Sequence, residues 1–162
     1  MIVTDSSTLI LLTKIGVIDI LLKDINEDLV LTPEVYDEVI IKETDDAKII
    51  KQRIKENKIL IKEMKNKKLF NNIIKDFNIE IGESSAIALS LENNALLFVD
   101  DRKAINACKA LNIEFATALS LLRDMYKKKL MSMEEMLGHL RLLWIYGRYS
   151  SNEIEKFKED IK

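Results

Sequence analysis

Asn94-Ala95-Leu96-Leu97-Phe98-Val99-Asp100-Asp101 is the stretch on which the fold turns. Five apolar residues, Ala95 to Val99, run without polar alternation, so a strand here must be covered on both faces, as a central strand of a parallel sheet is. Before it, Ala86, Ile87, Leu89 and Ser90 recur at helical spacing within Glu83 to Glu92, with Gly82 reading as a break and Asn93-Asn94 as the turn into the strand. After it comes a helix over Arg102 to Leu111, and between strand and helix stand two aspartates.

The same grammar holds outward in both directions. Met1 to Thr4 is a short strand that ends in Asp5-Ser6-Ser7 and leads into a helix over Ser7 to Ile15. Leu29 to Leu31 is a second strand; Thr32 can cap and Pro33 can occupy the first turn of a helix reaching about Lys42. A helix over Asp45 to Lys55, a weaker strand at Ile59 to Ile61 and a helix over Asn66 to Phe77 follow. Beyond the central strand come a strand at Ile113 to Phe115 and a helix over Thr117 to Lys128. Capping boxes at Ser132-x-x-Glu135 and Ser150-x-x-Glu153 then open two more helices. Alternating strands and helices imply right-handed crossovers. The expected class is therefore α/β, a three-layer sandwich around a parallel sheet of about four or five strands. It is read as a single domain over residues 1–162, with a helical extension from about residue 131 to 162.

Composition narrows the chemistry. In 162 residues, 48% apolar and 32% charged, four glycines and one proline leave few turn residues for a β-sandwich or barrel. No apolar run approaches the roughly 20 residues of a membrane span, so a soluble, cytoplasmic protein with no membrane partner is expected. Cys108 and His139 are the only cysteine and histidine. Internal disulfides and zinc sites of the Cys₄, Cys₂His₂ or HExxH kind are thereby excluded, and a serine or cysteine triad would need His139 itself beside the nucleophile. Neither GxxxxGK[ST] nor GxGxxG occurs. Any enzyme here must work through carboxylates. The net charge of −2 gives no global attraction to nucleic acid, so RNA contact would fall to local groups: Lys62, Lys65, Lys67 and Lys68, Lys127 to Lys129, or Arg102-Lys103.

Ligands of open α/β sheets bind beyond the carboxyl ends of the strands. Asp5 and the Asp100-Asp101 pair both stand where a strand ends, so they should share one edge of the sheet. Glu83 opens the helix leading into the central strand and Glu38 lies in the helix after Pro33; four acids could converge. Such a cluster repels itself unless a cation neutralises it, and oxygen donors alone suit Mg²⁺ or Mn²⁺, ions that serve phosphodiester hydrolysis. The competing reading is that these are ordinary helix caps and solvated acids among the chain's 27.

Four motifs, Val3-Thr4-Asp5-Ser6-Ser7-Thr8-Leu9, Thr32-Pro33-Glu34-Val35-Tyr36-Asp37-Glu38-Val39, Gly82-Glu83-Ser84-Ser85-Ala86-Ile87-Ala88-Leu89 and Leu97-Phe98-Val99-Asp100-Asp101-Arg102, occur in the order of a PIN domain. The resemblance covers nearly the whole chain and points to the prokaryotic branch related to VapC-type toxin ribonucleases. It implies a metal-dependent nuclease for single-stranded RNA, one that leaves 5′-phosphate and 3′-hydroxyl ends, with Mg²⁺ or Mn²⁺ as cofactor and an antitoxin protein as partner. Asp5 matches the family's first acid and Ser7 the hydroxyl residue beside it. Glu38 matches the acid of the proline-led helix. Asp37 competes with it, but helix neighbours face about 100° apart, so only one can point inward, and Glu38 fits the spacing. Glu83 stands where the family usually has Asp. Asp101 follows Glu83 by 101 − 83 = 18 residues, the usual interval, with Asp100 in reserve. Two alternatives stay open: a degenerate PIN module that binds RNA or a protein without cutting, and a phosphotransfer domain. The aspartyl-phosphatase pattern wants a second Asp where Ser7 stands.

Near the C-terminus, Leu142 to Tyr146 with Arg141, Arg148 and Tyr149 has either the composition of an interface, which suits a homodimer, or that of packing for the extension. His139 and Cys108 are most simply structural.

Overall fold

The computed structural model describes residues 1–161. In chain order the elements are β1 (Ile2–Thr4), α1 (Ser6–Lys14), α2 (Ile18–Asp24), β2 (Leu29–Leu31), α3 (Pro33–Ile40), α4 (Asp45–Lys55), β3 (Ile59–Ile61), α5 (Lys67–Phe77), α6 (Ile81–Asn93), β4 (Leu96–Phe98), α7 (Arg102–Ala110), β5 (Phe115–Ala116), α8 (Ala118–Lys127), α9 (Met133–Tyr146) and α10 (Ser151–Asp160). The five strands form one all-parallel sheet in the order β3-β2-β1-β4-β5, and Ile2 of β1 lies opposite both Leu29 of β2 and Leu96 of β4. The fold is thus α/β as expected: α5, α6 and α7 pack together in one layer, while α1, α4, α8 and α9 pack in the other. The central strands β1, β2 and β4 are almost wholly buried, which is why their sequences lack alternation.

Short polar side chains start the helices as the sequence suggests. Asp5, Thr32, Thr44, Asn66, Asp101, Thr117, Ser132 and Ser150 each accept a backbone N–H of the first turn. Asn78 and Asn94 end α5 and α6 in the left-handed conformation.

The structure departs from the sequence reading in four places, each for a tertiary or capping reason. Helix α2 was not expected, because its N-cap Val17 offers no side-chain acceptor and its apolar run follows α1 after only Gly16, at φ +81°. The last strand is Phe115–Ala116 rather than Ile113 to Phe115. Asn112 turns left-handed and Ile113 donates its N–H to Cys108 O, so Ile113 closes α7 before the chain can extend. Ala95 is likewise drawn back onto Ser90 O at 2.9 Å, leaving β4 to begin at Leu96. Gly82 is no break: it lies in the first turn of α6. Among the described residues no helix is long and apolar enough to cross a membrane.

Candidate active site

The chain leaves β1 through Asp5, whose N–H continues the ladder by donating to Phe98 O at 3.2 Å and so ties the exits of β1 and β4 together. The Asp5 side chain caps α1: Oδ1 accepts the Thr8 N–H at 2.7 Å and Oδ2 the Ser7 hydroxyl at 3.1 Å. Only 1% of the residue is exposed. Burial raises its pKa to about 6, the hydrogen bonds from Thr8 and Ser7 oppose that, and the nearby Glu38 charge adds to it.

Glu38 faces the same edge from α3. One carboxylate oxygen accepts the Ser6 hydroxyl at 2.5 Å and the other the Gly82 N–H at 3.0 Å. A methyl group on residue 82 would meet both oxygens, so an alanine there would push the Glu38 carboxylate aside. Asp37 is exposed on the outer face of α3, while Glu38 lines the cleft.

Glu83, one residue after Gly82, turns back to accept the Glu80 N–H at 3.4 Å. Burial first, then the charges of Asp101, Asp5 and Glu80, push its pKa up to about 7. Past β4, Asp100 accepts the Ala118 N–H at 3.1 Å and the Tyr149 hydroxyl. Its pKa is also pushed to about 7, by burial and by Asp5, against the pull of the Ala118 N–H. Asp101 caps α7 through the N–H groups of Lys103 and Ala104 at 2.7 and 3.2 Å, and its second oxygen faces Arg148 Nη1 at 3.4 Å.

Asp5 forms the floor of this region, and Glu38, Glu80, Glu83, Asp100 and Asp101 line a cleft of about 550 Å³ above it. The cations on its lining are Lys14, Lys42 and Arg148. None of the lysine and arginine groups named from the sequence for RNA contact lines it; Arg148, read there as interface or packing, does.

A family model described as a PIN domain matches residues 1–160. The chain belongs to the PIN-domain family. No curated protein matches it. PIN domains are generally nucleases that act on RNA and generally use divalent cations. The residues of this PIN domain suit such an ion by donor chemistry: the acids are oxygen-only, they crowd one cleft, and three of them are driven toward protonation, first by burial and then by one another's charge. As the side chains stand, no three acids, histidines or cysteines among the described residues close on one point. Glu38, Glu83 and Asp101 instead spend oxygens on backbone N–H groups.

All six site residues named from the sequence lie in this region of the PIN domain: Asp5, Ser7, Glu38, Glu83, Asp100 and Asp101. Four others were missed. Ser6 and Gly82 hold Glu38; Gly82 stands next to Glu83 in the motif, and a glycine inside an otherwise good helical run was the available signal. Tyr149 and Arg148 reach Asp100 and Asp101 from the extension, across 49 and 47 residues, and no local pattern reports that.

His139 and Cys108 have structural places. His139 Nδ1 pairs with Ile15 O at 2.6 Å, and Cys108 is buried in α7. The Trp144 region divides: Leu140 and Leu143 are core, while Trp144, Ile145 and Tyr146 are exposed.

Proposed function

We propose that the chain is an Mg²⁺- or Mn²⁺-dependent endoribonuclease that hydrolyses single-stranded RNA phosphodiesters, and that it serves as the toxin of a toxin–antitoxin pair. The carrying observation is the excess of acid: five carboxylates line the cleft over buried Asp5, against three cations on the same lining. Asp5, Asp101, Glu83 and Glu38 would hold the ion, with Ser7 and Asp100 in support. When bound, such a cation stabilises negative charge on a phosphoryl group and makes water a better nucleophile near neutral pH.

The chain's own part is placement. Asp5 is fixed by its cap on α1, and Glu38 by Ser6 and Gly82, so two carboxylates stand in set positions before anything binds. Glu83 and Asp100, each with a pKa near 7 in the metal-free protein, are able to hold a proton at a carboxylate oxygen under neutral conditions.

The test is cleavage of single-stranded RNA by the purified chain with Mn²⁺ and with EDTA. Cutting that EDTA abolishes supports the reading; cutting that persists in EDTA overturns the metal centre. The second reading, a PIN module that binds without cutting, draws on Glu83 turning back to cap α6. It is favoured if the chain retains RNA and never shortens it. A short neighbouring gene for a DNA-binding antitoxin supports the toxin role, and a homodimer, proposed from the exposed Trp144, Ile145 and Tyr146, is tested by sedimentation.

A further inference from the structure

The chain returns to the cleft after α9 through Gly147-Arg148-Tyr149, and the two residues flanking the arginine are held fast. Gly147 donates its N–H to Leu143 O at 2.8 Å, and a methyl group at this position would strike both that carbonyl and the Tyr149 ring. The Tyr149 hydroxyl donates to Asp100 and accepts the Leu119 N–H at 3.2 Å. Between these anchors the Arg148 side chain is 89% exposed, and its one partner among the described residues is Asp101, through a single 3.4 Å contact.

So exposed and long an ion pair contributes almost nothing to stability. The arrangement is a guanidinium whose backbone is clamped and whose donors are free, placed on the cleft lining beside Asp101. The other two cations there are less suited. Lys14 lies 3.8 Å from Asp46 and over the Tyr146 ring at 5.7 Å, and Lys42 follows the end of α3 on a long flexible stem without a comparable anchor. A polyanion approaching an acidic floor needs neutralisation at the rim, and a guanidinium offers paired N–H donors that match two oxygens of a phosphate.

We propose that Arg148 is a substrate-binding residue, whose guanidinium leaves Asp101 to grip an RNA phosphate next to the bond being cut, with Gly147 and Tyr149 as positioning residues. This rests on the ribonuclease reading above. The exchange keeps the guanidinium paired and frees an Asp101 oxygen as the RNA arrives.

The experiment is fluorescence anisotropy of a labelled single-stranded RNA with the full chain in Ca²⁺ over a series of salt concentrations, together with steady-state cleavage in Mn²⁺. Arg148→Ala is expected to weaken binding about tenfold. The slope of log affinity against log salt should become shallower by about 0.7, the signature of one lost phosphate contact on a single strand. KM should rise with kcat little changed, and Arg148→Lys should restore the slope but only part of the affinity. Wild-type slope and affinity in Arg148→Ala, with wild-type RNA cleavage intact, overturns this inference alone. Faster cleavage by Arg148→Ala also overturns it, because the arginine would then restrain Asp101. A wild-type chain that neither binds nor cuts RNA removes the ribonuclease reading and this one with it.

Discussion

The two walls of the cleft are built by different means. On one, Asp5 caps α1 and takes its donors from its own motif, Ser7 and Thr8, whereas Glu38 on α3 takes the Ser6 hydroxyl and the Gly82 N–H from two other motifs. On the other, Asp101 caps α7 while Asp100 depends on α8 and on the segment after α9 for its partners. The first wall is tied together within and between the motifs, the second also by the C-terminal segments. Function placed across both therefore requires the C-terminal helices to be docked as well as the motifs to be folded.

The largest effect that would sharpen this contrast comes from the floor. Asp5→Asn should lower Mn²⁺-dependent RNA cleavage by at least about 100-fold while keeping the Thr8 cap, because the amide oxygen still accepts. It should also raise the unfolding temperature in EDTA at pH 8. Asp5 rises from 3.8 to about 6 on folding, so the folded state binds its proton more tightly than the unfolded chain does. Metal-free wild type should accordingly lose stability as pH climbs from about 4 to 6, with Glu83 and Asp100 extending the loss to about 7. The Asn variant removes the Asp5 share, a gain of about 1–3 kcal/mol at pH 8 that vanishes below pH 4. A pH-independent difference would show that Asp5 is not strained by burial.

Next in size is Gly82→Ala. The added methyl displaces the Glu38 carboxylate from the Gly82 N–H, costing about 0.5–1.5 kcal/mol in denaturant midpoint measurements and roughly tenfold in cleavage. In a Glu38→Ala background the same change should cost under about 0.5 kcal/mol, since the obstacle is gone. Equal costs in both backgrounds would break the claim that this wall is held by that contact.

On the opposite wall, Tyr149→Phe leaves Asp100 and the Leu119 N–H each short of a partner. A loss of about 1–2 kcal/mol is expected by chemical denaturation, with cleavage falling less than in Gly82→Ala. No loss would mean that the second wall does not lean on the extension. The smallest effect belongs to Asp37→Asn, on the outer face of α3: stability within about 0.5 kcal/mol of wild type and unchanged cleavage.

What could be read from the sequence follows the same division. Strands β1, β2 and β4 announce themselves as unbroken apolar runs ending in Asp or Thr, and the caps at Asp5, Thr32 and Asp101 are properties of a few adjacent residues. Helix geometry said that only one of Asp37 and Glu38 can face the cleft, and the family spacing pointed to Glu38. Lost to the reading was whatever depends on distant neighbours. Helix α2 has no side-chain cap and is stabilised by packing on α1 and α8. Strand β5 starts late because Ile113 is used by α7. Tyr149 looked like interface or core, and nothing near it in sequence indicates Asp100 as its partner.

The contact between His139 and Ile15 has a mechanical meaning. Helix α1 begins at Asp5 in the cleft and ends where the Ile15 carbonyl meets His139 on α9; α9 then runs to the segment that returns Tyr149 to Asp100, and Asp5 N–H to Phe98 O closes the circuit beside β4. Two helices joined to each other at Ile15 and His139, and each tied at one end to a strand exit, make a braced frame in which the spacing of Asp5 and Asp100 is set by triangulation rather than by either side chain's own freedom. Slack at the Ile15 joint, a full helix α1 of about 13 Å from the acids, would reach them as play in that spacing.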